Sequence, residues 1–232
     1  MTARLNANKR AYCAQHGYTC ALSIEEFGRE CASNVGLLVH LVEPKPYMKF
    51  SLLLDCLRRF ELAAWFDSDT AVVDFARPLT AIRDACEHKH FVVSGNNCDP
   101  PVRGANSGIN TGFMLVHHDA AGQYALKALL ERTHDAEFVK RSFWWDQHAL
   151  MDMIDNAPSH KVCVTPPSLQ WFATTGVCMQ RSKESFLVHW PATRGDPNAW
   201  PQMLSKEWVR VPEEEGDEAP ADGRFLQRLA AI

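Results

Sequence analysis

Two aspartates separated by one residue are the strongest candidates for chemistry in this chain. Asp67 and Asp69 follow the apolar run Leu62–Phe66, which is typical of a buried strand. On a continuing strand, residues two apart share a face; if the chain turns after Asp67, both side chains can still reach one ion. Two hard oxygen ligands with open coordination positions suit Mg²⁺ or Mn²⁺ carrying a phosphate-bearing substrate. The alternative is an Asp-Ser-Asp turn that only caps the next segment.

Two further polar stretches could contribute to a site. Asn106–Gly112 combines Asn and Gly, so Asn110 and Gly112 could let the backbone approach a ligand closely, although an ordinary loop has the same composition. Trp144-Trp145-Asp146-Gln147 has an acid and an amide beside two aromatic rings. Such a group can orient sugar hydroxyls, but it can equally cap a helix and fill a core.

Three isolated residues carry a suitable charge or ligand atom. His189 ends a short apolar stretch and could bind a metal, although a lone His is more often a satisfied core or surface residue. Lys49 and Arg194 could bind phosphate. Since most Lys and Arg side chains are simply solvated, neither is evidence by itself.

Hydrophobic periodicity predicts the elements that would position these residues. The predicted helices cover residues 5–15, with Gly17 as the cap, and 47–61, 79–87, 119–133, 144–154 and 224–231. The predicted strands cover residues 18–24, 36–42, 62–66, 91–94, 111–117, 161–165 and 185–189, and residues 25–35 are predicted as loop or short helix. The alternation predicts an α/β fold with a mostly parallel central sheet flanked by helices. Because the chain opens with a helix, we expect this chain to lack the first strand of that fold.

Composition narrows the function classes. The chain has 232 residues, 46% hydrophobic and 22% charged, which predicts a globular domain over 1–210 followed by an acidic tail with a short terminal helix over 211–232. The net charge of −4 argues against a nucleic-acid partner. No apolar run approaches the roughly 18 residues of a transmembrane segment. The eight cysteines form no Cys-x-x-Cys pair, which argues against zinc; several resemble small core residues in a chain that does not need disulfides.

An ordered set of motifs resembles a known enzyme family. The set comprises Asn8-Lys9, His16-Gly17-Tyr18, Lys49, Trp65–Asp69, Asn110–Phe113, Asp146-Gln147 and His189. In this order, over residues 8–194, the sequence resembles the galactosyl-, mannosyl- and xylosyltransferases of fungi and plants. These include α-1,2-galactosyltransferases, mannan polymerase subunits and xyloglucan xylosyltransferases.

The resemblance implies a GT-A nucleotide-diphospho-sugar transferase fold and a retaining transfer of a hexose or pentose to a glycan hydroxyl. The donor would be a nucleotide sugar, UDP-linked rather than GDP-linked, used with Mn²⁺ or Mg²⁺. The family is normally anchored in the Golgi membrane, which here would need an anchor that this chain lacks. The sugar, the acceptor, the linkage and the oligomeric state are not implied.

Residue roles follow from the resemblance. The metal would be held by Asp67, Asp69 and His189. Asp146 and Gln147 would act near the anomeric carbon, and Trp144 and Trp145 would contact the acceptor. The donor would be bound by Lys49, Ser68, Asn110, Gly112 and Arg194.

One departure from the family pattern keeps other functions open. The family's His-x-x-Gly-Cys segment is His189-Trp190-Pro191-Ala192-Thr193 here, so the backbone could approach the diphosphate differently. A non-catalytic domain that binds glycan or another transferase subunit is the main alternative. A metal-dependent phosphohydrolase is a weaker one, because only three ligands are evident and no set for two metals.

Overall fold

A computed structural model describes most of the chain up to residue 189. The described residues are 2–31, 47–86, 89–95, 109–141, 145–156, 162–164, 172–174 and 185–189. The predicted strand over 36–42, the tail over 211–232 and its helix lie outside them.

The described strands form two sheets. The strands are β1 (Leu62–Phe66), β2 (Thr70–Val72), β3 (Phe91–Gly95), β4 (Ile109–His117), β5 (Val162–Val164), β6 (Phe172–Thr174) and β7 (Leu187–His189). A four-stranded sheet has the order β1-β4-β3-β5, and a three-stranded sheet has the order β2-β7-β6. The short connection between β1 and β2 links the larger sheet to the smaller one along the chain.

Helices flank the larger sheet. They are α1 (Thr2–His16), α2 (Ile24–Glu30), α3 (Met48–Cys56), α4 (Leu79–Ala85), α5 (Ala120–Glu131), α6 (Ala136–Arg141) and α7 (Trp145–Asn156), with a 3₁₀ turn at Arg132–His134. Asp119 caps α5 as predicted, accepting a hydrogen bond from the Gly122 N–H at 2.8 Å. Gly17 ends α1 with a φ of 70°, the left-handed conformation that favours glycine.

The central strand β4 divides the core into two clusters. Met114 and Val116 face one cluster, with residues from α3, α5 and α7. Phe113 and Leu115 face the other, with residues from α1, α4, β2 and β7. Because successive side chains of a strand point to opposite faces, β4 is buried on both sides. The α/β layering therefore agrees with the predicted fold class.

The predicted strand direction is wrong for most described pairs. β4 pairs antiparallel with both β1 and β3, and β2 pairs antiparallel with β7. The β3–β5 and β6–β7 pairs are parallel. A continuous apolar run reports burial of both faces and carries no information about the direction of the neighbouring strand.

The predicted strand over 18–24 is also wrong. Residues 18–22 join no sheet, and α2 begins directly after Ser23. The Ser23 side chain accepts a hydrogen bond from the Glu26 N–H, and the Glu26 carboxylate accepts one from the Leu22 N–H at 2.7 Å. Ser followed three residues later by Glu is a capping-box pattern, so the sequence did contain the evidence for this helix. The short helix that was predicted as one alternative for residues 25–35 is present as α2. Four short elements, α6, β2, β6 and the 3₁₀ turn, were not predicted.

The first helix attaches directly to the backbone that follows the aspartates. Asn8, fully buried, donates to the Val72 C=O at 3.0 Å and accepts from the Val72 N–H at 2.9 Å. Gln15 and His16 both donate to the Phe75 C=O, at 2.7 and 2.8 Å. The polar side chains of α1 thus satisfy backbone groups of β2 and of the segment after it.

Asn8→Ala should destabilise the protein by about 3 kcal/mol. The change leaves the Val72 N–H and C=O buried without these partners, and each unsatisfied group costs about 1–3 kcal/mol. Urea unfolding at neutral pH measures the effect. Asn6→Ala on the same helix is the matched control and should change stability by less than about 0.5 kcal/mol. An Asn8 variant as stable as the control would contradict the anchoring role.

Disulfides correct the interpretation of the cysteines as small core residues. Cys31 and Cys56 form a disulfide that joins the ends of α2 and α3, and Cys86 is disulfide-bonded as well. Scattered spacing does not reveal such pairing, because the partners are brought together only by the fold.

Among the described residues, no helix combines the length and hydrophobicity needed to cross a bilayer.

Candidate metal and donor site

The chain turns sharply at the two aspartates. The Asp67 N–H still donates to the Gly112 C=O of β4, at 2.9 Å. The Thr70 N–H and hydroxyl then both donate to the Asp67 C=O, at 3.2 and 2.7 Å. The metal-loop turn, residues Asp67 to Thr70, therefore connects the two sheets, and β1 does not continue through it.

Strand pairing brings His189 to this turn. β7 lies antiparallel to β2 with Thr70 opposite His189. His189 Nε2 lies 3.2 Å from Asp69 Oδ1 and 3.9 Å from Asp67 Oδ2. One ligand atom from each of the three side chains lies within 4.8 Å of the others. The three residues predicted as metal ligands are thus brought together.

The residues fit a divalent metal by their chemistry and by their surroundings. Carboxylates suit Mg²⁺ and Mn²⁺, while the imidazole favours a transition metal, so the mixed set fits Mn²⁺ better than Mg²⁺. The His189 side chain is 10% exposed, and its Nδ1 is buried with no hydrogen-bond partner among the described residues. The ring is therefore fixed by packing, with Nε2 facing the carboxylates.

The two oxygens of Asp67 have different surroundings. Oδ1 accepts hydrogen bonds from Trp65 Nε1 at 2.5 Å and from Lys49 Nζ at 3.1 Å. Oδ2 faces His189. Burial alone would raise the pKa of Asp67, but Lys49, then His189 and the Trp65 hydrogen bond, outweigh it and hold the pKa below its usual value. Asp67 is therefore kept ionised with Oδ2 available to an ion.

Lys49 connects the aspartate turn to the predicted catalytic aspartate. Its Nζ lies 2.7 Å from Asp146 Oδ2 as well as 3.1 Å from Asp67 Oδ1. The Thr111 hydroxyl donates to the same Asp146 oxygen at 2.7 Å, and the Thr111 C=O accepts from Lys49 at 3.3 Å. Burial would lower the pKa of Lys49, but the two carboxylates outweigh it and raise the pKa. Residues of α3, β1, β4 and α7 are joined in one polar network.

Lys9 is a site residue whose role sequence reasoning missed. Its Nζ donates to the Asp67 C=O at 2.7 Å, and the side chain is nearly buried. Burial lowers its pKa to about 8, against the opposing effect of Asp69 and Asp67. The Asn8-Lys9 pair appeared in the family resemblance without a function. In the structure Lys9 binds the backbone at the start of the turn, and Asn8 binds the backbone of Val72 after it.

The charged side chains around the turn have a net negative charge that a cation could balance. Three carboxylates, of Asp67, Asp69 and Asp146, lie in the same group of polar residues as two ammonium groups, of Lys9 and Lys49. One negative charge is therefore in excess, and a divalent ion would make the cluster positive. Such a cluster suits a diphosphate.

Gly112 provides the space for the imidazole. A Cβ built on Gly112 would lie 2.6 Å from both Cε1 and Nδ1 of His189 and 2.8 Å from Asn110 Oδ1. The Asn110 side chain is itself fixed, because its Oδ1 accepts from the Gly112 N–H at 2.7 Å. Any side chain here must displace the His189 imidazole and the Asn110 side chain.

Gly112→Ala should therefore weaken metal binding at least tenfold and destabilise the protein by about 1–3 kcal/mol, the usual cost of overpacking. Isothermal titration with Mn²⁺ and urea unfolding measure the two effects. Gly28→Ala is the control, since its Cβ meets nothing within 4 Å and alanine favours a helix by about 1 kcal/mol. Equal Mn²⁺ affinity in wild type and Gly112→Ala would exclude this role of the glycine.

The structure describes the remaining predicted site residues only in part. Ser68 is exposed within the turn, and Gln147 is half-buried on α7 beside Asp146. Trp145 begins α7, but its side chain is not among those described. Trp144 and Arg194 lie outside the described residues. The predicted donor and acceptor contacts stay predictions.

Solved structures share this fold. The chain matches a glycosyltransferase involved in the glycosylation of the major capsid of PBCV-1 with a TM-score of 0.50 and 18% identity, covering 83% of this chain and 86% of that one. It matches the galactosyltransferase LgtC, crystallised with donor and acceptor sugar analogues, with a TM-score of 0.51 and 13% identity, covering 92% and 94%. No family model and no curated protein matches the chain. The chain has the GT-A fold of nucleotide-sugar transferases, as predicted.

Proposed function

We propose that this protein is a Mn²⁺-dependent glycosyltransferase that moves a hexose or pentose from a nucleotide-diphosphate sugar to a glycan hydroxyl, with retention of configuration. The observation that carries the proposal is the convergence of Asp67, Asp69 and His189 where β1 leaves the sheet, in a fold shared with glycosyltransferases. The ordered motifs favour the fungal and plant galactosyl-, mannosyl- and xylosyltransferases and a UDP-linked donor.

Asp67 and Asp69 would hold the ion through their carboxylates, with His189 Nε2 as the third protein ligand. The bound ion would supply Lewis-acid stabilisation of the charge that develops on the leaving diphosphate. Two hydrogen bonds hold the metal-loop turn in place. Lys9 donates to the Asp67 C=O, and Trp65 donates to Asp67 Oδ1. Little movement is then required of the ligands when the donor binds.

Asp146 would orient the donor sugar or the acceptor hydroxyl near the anomeric carbon. One of its oxygens is fixed by Lys49 and Thr111, and its side chain is 13% exposed. A carboxylate held by two donors is a rigid hydrogen-bond acceptor. We assign no covalent intermediate to it, because transfer on the front face of the sugar requires none. Gln147, the next residue on α7, would bind a second hydroxyl.

The convergence of three metal-ligand candidates favours a transferase over the non-catalytic alternative, which has no need of such a group. The phosphohydrolase alternative is less favoured, since the described residues contain one three-ligand group and not the paired set of a two-metal site.

Donor turnover tests the proposal without a known acceptor. The full chain is incubated with a panel of UDP- and GDP-sugars, with Mn²⁺ or with EDTA, and released nucleotide diphosphate is measured. We expect slow release from one or a few UDP-sugars, stimulated by glycan acceptors and abolished by EDTA. Release of inorganic phosphate from simple phosphate esters, with no turnover of any nucleotide sugar, would favour the phosphohydrolase. No turnover at all would favour the non-catalytic partner.

A further inference from the structure

The two oxygens of Asp67 are not equally available to a metal ion. Oδ1 accepts two hydrogen bonds, from Trp65 Nε1 at 2.5 Å and from Lys49 Nζ at 3.1 Å. Each oxygen of a carboxylate has two lone-pair sites, so both sites of Oδ1 are occupied. Oδ2 instead faces His189 Nε2, at 3.9 Å. Asp67 can therefore bind an ion through Oδ2, whereas binding through Oδ1 as well would break a hydrogen bond.

The position of Trp65 in the strand directs its indole to the carboxylate. Trp65 lies in β1, and the Asp67 N–H continues the pairing of that strand by donating to the Gly112 C=O of β4. Residues two apart on a strand share a face, which places the indole N–H beside the Asp67 side chain. The Trp65 ring also packs against the core cluster that includes residues of α3, α5 and α7. Strand geometry and core packing therefore fix this donor.

The second donor to Oδ1 is held by several other groups. Lys49 Nζ lies 2.7 Å from Asp146 Oδ2 and donates to the Thr111 C=O at 3.3 Å. It also lies 5.7 Å from the centroid of the Trp65 ring, within the roughly 6 Å over which an aromatic face attracts a cation. The Lys49 side chain is 8% exposed. Both donors are therefore held in place by contacts other than the one with Asp67.

We propose that Trp65, together with Lys49, is a positioning residue that makes Asp67 a single-oxygen ligand and thereby selects Mn²⁺ over Ca²⁺. The inference rests on the metal site of the proposed function. Mn²⁺ suits an octahedral arrangement, to which Asp67, Asp69 and His189 would each contribute one atom. Ca²⁺ takes about six to eight oxygens and accepts carboxylates that bind through both of theirs. An Asp67 restricted to Oδ2 therefore deprives Ca²⁺ of a ligand that Mn²⁺ does not need.

Metal binding to the full chain, measured without any sugar or nucleotide, tests this assignment. Free Mn²⁺ is followed by its EPR signal during a titration, and the affinity for Ca²⁺ is obtained from the Mn²⁺ that it displaces. Trp65→Phe keeps an aromatic ring and removes the N–H. We expect Mn²⁺ to bind this variant at least about tenfold more weakly, the usual effect of losing a group that orients a metal ligand. The affinity for Ca²⁺ should stay the same or increase, so that the preference for Mn²⁺ falls by at least the same factor.

Two results in the variant would overturn the inference. Unchanged Mn²⁺ affinity would mean that the indole N–H does not position Asp67. An equal loss of affinity for both ions would mean that Trp65 only supports the turn and does not select the metal. Phe138→Leu is the control, because it reduces a ring that packs against the same core cluster and contacts Arg132 and His148. It should bind both ions as the wild type does.

The wild type separates this inference from the proposed function. Mn²⁺ binding that is lost in Asp69→Asn would establish the metal site, and the comparison with Trp65→Phe then concerns selectivity alone. An absence of Mn²⁺ binding by the wild type would overturn the metal site and this inference together. Urea unfolding in EDTA checks the fold of the variant. Trp65→Tyr, which also lacks the indole N–H, takes its place if the phenylalanine variant does not unfold cooperatively.

Discussion

Asp69→Asn is expected to lower metal-dependent donor turnover by about 10³-fold and to leave the fold intact. A metal that stabilises a leaving diphosphate contributes several kcal/mol, and each 1.4 kcal/mol is about tenfold in rate. Asp69 is the better test of the two aspartates, because Asp67 is also bound to Lys49 and Trp65 and its replacement would disturb the network. Asp69 faces His189 at 3.2 Å in a half-buried position.

Turnover is measured by nucleotide release at saturating Mn²⁺, and the fold by urea unfolding in EDTA. Asp84→Asn is the control, since Asp84 is an exposed carboxylate that pairs with its neighbour Arg83 on α4. We expect wild-type turnover in the control. Wild-type turnover in Asp69→Asn itself would remove Asp69 from the metal site.

Lys49→Met should destabilise the metal-free protein by about 3 kcal/mol at neutral pH. Removing one member of a buried ion pair leaves an uncompensated charge that costs about 3–5 kcal/mol; the lower end applies because the Asp67 side chain is 27% exposed. Two carboxylates, Asp67 and Asp146, lose their cation together. The methionine retains the apolar stem that packs in the core.

The pH dependence identifies the electrostatic part of this cost. In the wild type the pKa of Asp67 is depressed, because Lys49 and His189 outweigh the effect of burial. The ionised Asp67 therefore stabilises the folded protein above the unfolded pKa of about 4. This stabilisation is lost as the pH falls through the lower pKa of the folded state. Without Lys49, we expect the effect of burial to outweigh the remaining interactions of Asp67, so that the pKa of Asp67 rises. The deficit of Lys49→Met should therefore be largest at neutral pH and shrink towards pH 3.

Urea unfolding in EDTA at pH 7 and at about pH 3 measures this change. Lys127→Met, an exposed position on α5, is the matched control and should lie within about 0.5 kcal/mol of the wild type at both pH values. A Lys49→Met deficit that is equal at both pH values would mean that lost packing, and not charge, causes it.

The metal candidates could be predicted from the sequence, but their arrangement could not. Asp67 and Asp69 follow a run whose burial is evident. His189 reaches them only because β7 pairs with β2, and β2 is three residues long, too short to show any periodicity. The resemblance to a family supplied the association that local pattern lacks.

Two residues illustrate why the supporting contacts were missed. Lys9 and Lys49 look like ordinary charged residues in the sequence, yet both are nearly buried. Their burial depends on non-local carboxylates and on one backbone carbonyl. Helical periodicity locates apolar faces and carries no information about a lysine whose partner lies tens of residues away.

Strand direction and disulfide pairing failed for the same reason. The apolar run of β4 predicts a buried strand correctly, while its antiparallel neighbours depend on the path of the chain between strands. Cys31 and Cys56 lie at the ends of α2 and α3, which the path of the chain brings together. By contrast, the caps of α2 and α5 depend only on adjacent residues, Ser23 with Glu26 and Asp119 with Gly122, and such elements are accessible to sequence analysis.

The most direct measurement is the thermal unfolding midpoint of the full chain with and without UDP, in Mn²⁺ and in EDTA. Ligand at about 100 times its dissociation constant should stabilise the native state by roughly 2.7 kcal/mol, which gives a clear increase in the midpoint. We predict that this increase requires UDP and Mn²⁺ together and is lost in Asp69→Asn. A cooperative transition with the same midpoint in all four conditions would contradict a metal-dependent donor site at Asp67, Asp69 and His189.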